Sequence, residues 1–181
     1  MADTNQQFRN LLEKNRKKIV KAWMQGVVDT YPPKTSEFLT SQKDEFANPI
    51  GANLARDLDS IFTELLREES TDALPTAVDG IVRVRAVQDF PPSAAVGCFL
   101  MLKKIIRQNV GAQIRDQNLV NELAVFDDKV DQLMLVAFEN YVQCREKIWE
   151  LKAKEAQHRT RNLLRKKAGV DWTVSDSPET T

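Results

Sequence analysis

Residues Asp79–Arg107 read DGIVRVRAVQDFPPSAAVGCFLMLKKIIR, a helix, a stiff corner and a second helix. Ile81, Val82, Val84 and Val87 give the first helix a broad apolar side, and Arg83 lies off it. Arg85 and Asp89 are four apart, so they are expected to face each other on one surface, a pairing worth a few tenths of a kcal/mol. A residue before proline is pushed out of the helical region, so Pro91-Pro92 stops the first helix near Asp89. Proline tolerates a first helical turn, where its missing N–H has no partner anyway, so the second helix starts at about Pro92. Val96, Phe99, Leu100, Leu102, Ile105 and Ile106, with Ala94, Ala95, Gly97 and Cys98, keep that helix apolar nearly all round as far as Lys103. Such a helix belongs in the middle of a bundle.

The flanking segments carry the same helical period. Asp3 or Thr4 caps a first helix to about Asp29, with Phe8, Leu12, Ile19, Trp23 and Val27 at helical spacing and Tyr31-Pro32-Pro33 ending it. A short helix from about Thr35 to Gln42 is expected to turn Phe38 and Leu39 inward. Asn48-Pro49, a capping side chain followed by a first-turn proline, opens a helix to about Glu68. Ser70, Thr71 or Asp72 caps the helix that leads into the corner, with Pro75 in its first turn. Gly111 stands where a helix C-terminus favours a left-handed residue. The last helix begins near Gln117 and reaches about Lys167, roughly 75 Å at 1.5 Å per residue. Its apolar positions Leu123, Phe126, Val130, Leu133, Ala137, Tyr141, Cys144, Ile148 and Leu151 advance by threes and fours, after which the same phase meets Glu155, His158 and Asn162. The first half packs in the bundle. The second half either pairs with a twin helix, as coiled coils do, or stays solvated. No alternating strand-type segment occurs, so the class is all-α. One helical domain over residues 1–168 and a disordered tail over 169–181 complete the expected organisation.

The chain of 181 residues allows one domain with its own core, and its formal net charge is zero. The balance is uneven along the chain. Residues up to Cys144 hold 17 basic and 20 acidic side chains, whereas Arg145–Lys167 holds nine basic against Glu146, Glu150 and Glu155. Cys98 and Cys144 sit at apolar helix positions, which suits packed thiols in a reducing cytoplasm better than a disulfide. No signal-type apolar segment opens the sequence, and Lys103 and Lys104 interrupt the most apolar run, so no membrane insertion is expected.

RVRAVQDFPPSAAV, together with YPPKTSEFL, KDEFANPIG and YVQCREKIWEL, resembles the RsbRD N-terminal domain family, the input domains of RsbT co-antagonist proteins of the bacterial stressosome. The resemblance runs roughly from Phe8 to Leu164. It implies a globin-like helical bundle with a long C-terminal helix, a dimer without haem that acts as a sensory or docking module in stress signalling. Two departures stand out. Pro91-Pro92 replaces the Thr-Pro common at such helix starts, leaving Ser93 as an imperfect substitute for the hydroxyl cap. The phosphorylatable STAS domain that usually follows is absent from this sequence, so a stand-alone input domain is expected.

His158 is the only histidine, and it lies in a basic polar stretch rather than among pocket-forming helices, so neither haem nor another cofactor is expected. The same scarcity removes the usual nucleophile–histidine arrangements and the Glu-x-x-His di-iron pattern. Asp127, Asp128 and Asp131, with Glu122, form an acidic face that reads as solvated rather than as a metal site. No catalytic or metal-binding residue is assigned, and nothing supports an enzyme.

Arg83, Arg85, Gln88 and Asp89, just before the corner, are the candidate interaction surface. Tyr141, Cys144, Ile148, Leu151, Arg159, Arg161 and Arg165 are the candidates for a dimer or partner helix. A homodimer with a protein partner in a regulatory complex is the expected assembly. Two alternatives compete with it. One is an apolar ligand-binding protein or enzyme with an interhelical cavity near Phe99, Met101, Phe126 and Phe138. The other is a nucleic-acid binder acting through Arg159, Arg161, Arg165 and Lys166, disfavoured because aromatic interleaving and a helix-turn-helix partner are missing.

Overall fold

A computed structural model describes residues 2–41, 46–67 and 73–168. The expected tail over 169–181 and the expected caps Ser70, Thr71 and Asp72 lie outside these, as do the side chains of Lys166 and Lys167. The described residues form helices and no strand, so the all-α class read from the sequence is the class observed. The order is α1 (Ala2–Val28), α2 (Pro33–Ser41), α3 (Pro49–Leu66), α4 (Ala73–Val87), α5 (Pro92–Val110), a 3-10 turn (Gly111–Gln113) and α6 (Gln117–Ala168). Contacts divide the chain into two units, Met1–Cys144 and Arg145–Thr181.

In the first unit α1 packs on α5 and α3, and α3 packs on α4. Trp23, Phe62, Phe99, Leu102, Ile106 and Leu133 are fully enclosed in its core. Asn48 caps α3 as expected: its Oδ1 accepts from the Gly51 N–H at 2.9 Å, and Pro49 fills the first turn. The Asn48 Nδ2 also donates to the Leu39 carbonyl at 3.0 Å, fastening α2 to α3. Phe38 is turned outward, 48% exposed, and only Leu39 of the expected pair is buried, because a nine-residue helix has one face against the bundle.

Helix α5 starts at Pro92 as expected, but its N-cap is Pro91 and no side chain caps it, so Ser93 does not substitute. Gly111 keeps right-handed dihedrals (φ −54°, ψ −37°) because the chain tightens into the 3-10 turn instead of reversing there. The acidic face of α6 is partly engaged: Lys103 bonds Asp131 at 2.7 Å, and Arg107 grips Asp127. These pairs set α5 antiparallel to α6.

In the second unit Arg145 and Ile148 are half-buried, and every other residue through Arg165 is exposed. Local pairs such as Arg159–Glu155 at 2.5 Å and Lys147–Glu150 at 3.4 Å run along the helix. Each contributes a few tenths of a kcal/mol.

Candidate functional site

The corner between α4 and α5 is built from a helix terminus, two aromatic rings and one buried cation. At the end of α4 the Asp89 N–H bonds the Ala86 carbonyl (3.3 Å) and the Phe90 N–H bonds the Arg85 carbonyl (3.1 Å). Asp89 adopts a positive φ of 58°, completing the Schellman pattern with a non-glycine residue in the left-handed position. The turn throws the Phe90 ring against Tyr31, edge to face at 4.9 Å between centroids. The Phe90 carbonyl accepts the Tyr141 hydroxyl at 2.6 Å, which pins the corner to α6.

Arg85 lies inside this corner, not on the surface. It is fully buried, as are its helical neighbours Val78, Val82 and Ala86, whereas Val87, expected inward, is 64% exposed. Its guanidinium carbon stands 4.2 Å from the Phe90 ring centroid and 5.2 Å from that of Tyr31. Such desolvated cation–π contacts are worth about 2 kcal/mol. Nη2 donates to the Thr30 hydroxyl (2.8 Å) and the Ala94 carbonyl (2.9 Å), while Nε and Nη1 are buried without a hydrogen-bond partner. The expected surface pairing of Arg85 with Asp89 is therefore replaced by a cation held between two rings.

On the α5 side of this centre, burial pushes the Cys98 thiol up to about 11, against the opposing pull of the Arg85 charge. The Trp23 indole N–H donates to the Cys98 carbonyl at 2.8 Å. Burial also raises the Tyr31 phenol, again opposed by Arg85.

Tyr31 borders a second feature as well, a groove of about 340 Å³ between α3 and α4. Leu54, Ile81 and Val84 supply apolar lining, and Asn53, Arg56, Asp57, Thr76 and Asp79 supply polar groups. Gly80 lets the two helices meet here, since a Cβ at that position would lie 2.5 Å from Asp57 Oδ2. The Asp57 side chain is 18% exposed, and its one ion-pair partner among the described residues is Arg56 Nε at 4.0 Å. Burial raises the Asp57 carboxyl above its ordinary value, with Arg56 pulling it down.

The residues singled out from sequence are scattered over different places. Arg83 is exposed and holds Asp79 through Nη2 (2.7 Å) and Nε (3.1 Å); Gln88 and Asp89 are exposed, so without Arg85 they make a smaller surface than expected. Tyr141 is committed to the core, Cys144 and Ile148 are half-buried, and Leu151, Arg159, Arg161 and Arg165 are exposed.

Phe99, Met101, Phe126 and Phe138 differ in burial and in what they pack against. Phe99 packs edge-on to Trp23 (6.4 Å) and Phe126 to Phe8 (6.1 Å), both buried, Met101 is half-buried, and Phe138 is 47% exposed. The groove residues Asp57 and Gly80 were missed. The available signal was a glycine within a helical period, which often marks close approach of another backbone or side chain.

The fold and these features define an all-α module with a buried cationic corner and a polar-lined groove. Among the described residues no group of three or more His, Cys, Asp or Glu could hold a metal ion, and no helix is long and apolar enough to cross a membrane. The chain belongs to the RsbT co-antagonist protein rsbRD N-terminal domain family, whose model matches residues 17–156. It is also similar to an uncharacterized protein of Archaeoglobus fulgidus, 29% identical over 144 residues, covering 79% of this chain and 85% of the relative. No solved structure matches.

Proposed function

We propose that the chain is a non-enzymatic regulatory input module of the stressosome type, which self-associates through α6 and presents its C-terminal helix to a protein partner. Family membership supports the signalling role. The observation that carries self-association is an apolar stripe on the outer side of α6: Leu135, Phe138 and Val142 are 55%, 47% and 36% exposed. Their inward neighbours Leu133, Ala137 and Tyr141 are buried, so the helix is apolar on two sides with one side uncovered. Trp149 follows Val142 by seven residues, the spacing of a coiled-coil seam, and is 66% exposed. Leu100, on α5, is 37% exposed as well.

The occupant of that patch is a second copy of the chain, with α6 of each protomer lying along the other. Arg83 and Gln88 then remain for a partner protein, and residues 1–168 act as one module. A signal alters output by favouring one packing of the paired helices over another, which requires the two packings to differ in affinity for it.

Sedimentation equilibrium tests the assembly. The wild type is expected to behave as a dimer, and Leu135→Glu with Phe138→Glu as a folded monomer with unchanged helical circular dichroism. A wild type that stays monomeric at the highest concentrations overturns the proposal.

A further inference from the structure

The groove between α3 and α4 has the size of a small-molecule site, about 340 Å³. Its chemistry is asymmetric. Asp79 at one side is already satisfied by Arg83, through two guanidinium nitrogens. Asp57 is not satisfied in that way. Its carboxylate is mostly withdrawn from water, and Gly80 leaves its Oδ2 close against the α4 backbone. Arg56, its one ion-pair partner among the described residues, stands at 4.0 Å with a side chain 71% exposed, and its Nη2 donates instead to Asn53 Oδ1 at 2.7 Å. A largely buried carboxylate with so distant a partner keeps most of its desolvation cost. Beside it lie Leu54, Ile81, Val84 and the Tyr31 ring, an apolar wall that a hydrocarbon or aromatic body can cover.

We infer that this groove is a binding site for a small organic ammonium compound, its charged head on Asp57 and its apolar body against Leu54, Ile81, Val84 and Tyr31. An ammonium group is compact and carries three donors, so it can approach the recessed carboxylate where the forked, solvated Arg56 does not. A neutral compound of the same shape gains the apolar contact only. An anion meets two carboxylates. The site stands on the geometry of α3 and α4 and does not depend on self-association through α6.

The test uses the full chain with 2-phenylethylammonium, the isosteric neutral 2-phenylethanol and the anion 3-phenylpropionate, followed by amide chemical shifts and titration calorimetry. The ammonium compound is expected to bind with shifts centred on Asp57, Gly80 and Tyr31, about tenfold or more tighter than the alcohol, as for a charge-assisted hydrogen bond. The propionate is expected not to bind. Asp57→Asn removes a poorly compensated charge and should fold, yet bring the ammonium compound down to the affinity of the alcohol. Val84→Trp, which fills the groove from a half-buried position, should abolish binding of both while leaving Asp57 in place. The α6 double variant Leu135→Glu with Phe138→Glu should bind as the wild type does, separating this site from the question of assembly. Equal affinity for alcohol and ammonium, shifts away from the groove, no binding at millimolar concentration, or undiminished binding in Asp57→Asn each overturns the assignment.

Discussion

Arg85 shows how a residue type can mislead where a residue spacing does not. Val78, Val82 and Arg85 advance by helical steps along the buried side of α4, so the period alone places Arg85 inside. Its charge argued for the surface, and what reverses that argument is tertiary: the rings of Phe90 and Tyr31, contributed by the corner and by the segment after α1. Two of its nitrogens lack hydrogen-bond partners, so the cost of burying its charge offsets much of what the Nη2 bonds and ring contacts contribute. Arg85→Met, which keeps the volume without the charge, is expected to stay within about 1 kcal/mol of wild type in urea unfolding, as buried charges replaced by apolar isosteres commonly do. Arg85→Ala should lose about 3 kcal/mol through the cavity it leaves. A loss in Arg85→Met as large as in Arg85→Ala would show instead that the guanidinium itself holds the corner. Cys98 gives a second test of the same enclosure. Its thiol is pushed up to about 11 from 9.0, so the stability it contributes is complete below the unfolded value and lost as pH rises toward the folded one. The stability gap between wild type and Cys98→Ala should thus hold steady through neutral pH and narrow in alkali, by about 1.4 kcal/mol for each pH unit of that window. Thiol alkylation of the native protein should label the half-buried Cys144 first and reach Cys98 only on unfolding.

At the scale of elements, helix starts and stops were legible where local chemistry sets them. Asn48-Pro49 opened α3 and Pro91-Pro92 separated α4 from α5, because capping and proline sterics act within a few residues. Gly111 was misread because glycine permits a left-handed turn without requiring one, and the 3-10 turn after α5 left no need for it. The second role of Asn48 was also hidden, since the bond from its amide to Leu39 joins two helices. That double role makes Asn48→Ala expected to cost about 1–2 kcal/mol in chemical denaturation, toward the upper end for a cap. Asn48→Asp keeps the acceptor for Gly51 but sets an oxygen against the Leu39 carbonyl, so near neutral pH it should lose as much as alanine does. Gly51→Ala should share the defect, because the added Cβ would lie 2.4 Å from Asn48 Nδ2. The groove was only faintly legible, for the same reason as the Leu39 bond. Gly80 within a helical period hints at a close approach, but Asp57 is ordinary on its own helix, and only the packing of α3 on α4 makes a recessed carboxylate of one and a place for it of the other.

For the molecule as a whole, the sequence did show where its character changes. The excess of basic residues begins at Arg145, and the division of contacts falls between Cys144 and Arg145. The sequence left open whether the helix beyond that point is solvated or paired, and helix stability in water offers a way to decide. From Arg145 to Arg165 the helix has almost no buried apolar surface, and a helix of that length without tertiary support is marginal, its ion pairs adding only tenths of a kcal/mol each. If Trp149 and Leu151 meet their counterparts in a second copy, packing supplies what local interactions lack. Amide exchange should then be slow through residues 146–156 at high protein concentration and accelerate on dilution, while amides of α3 and α5 stay protected throughout. In the Leu135→Glu, Phe138→Glu variant the same stretch should exchange rapidly at every concentration, because the pairing of the two helices is lost. Rapid exchange there in the wild type, independent of concentration, would mean that α6 ends in a solvated helix. The basic residues Arg159, Arg161 and Arg165 would then be left to act on a partner of another kind.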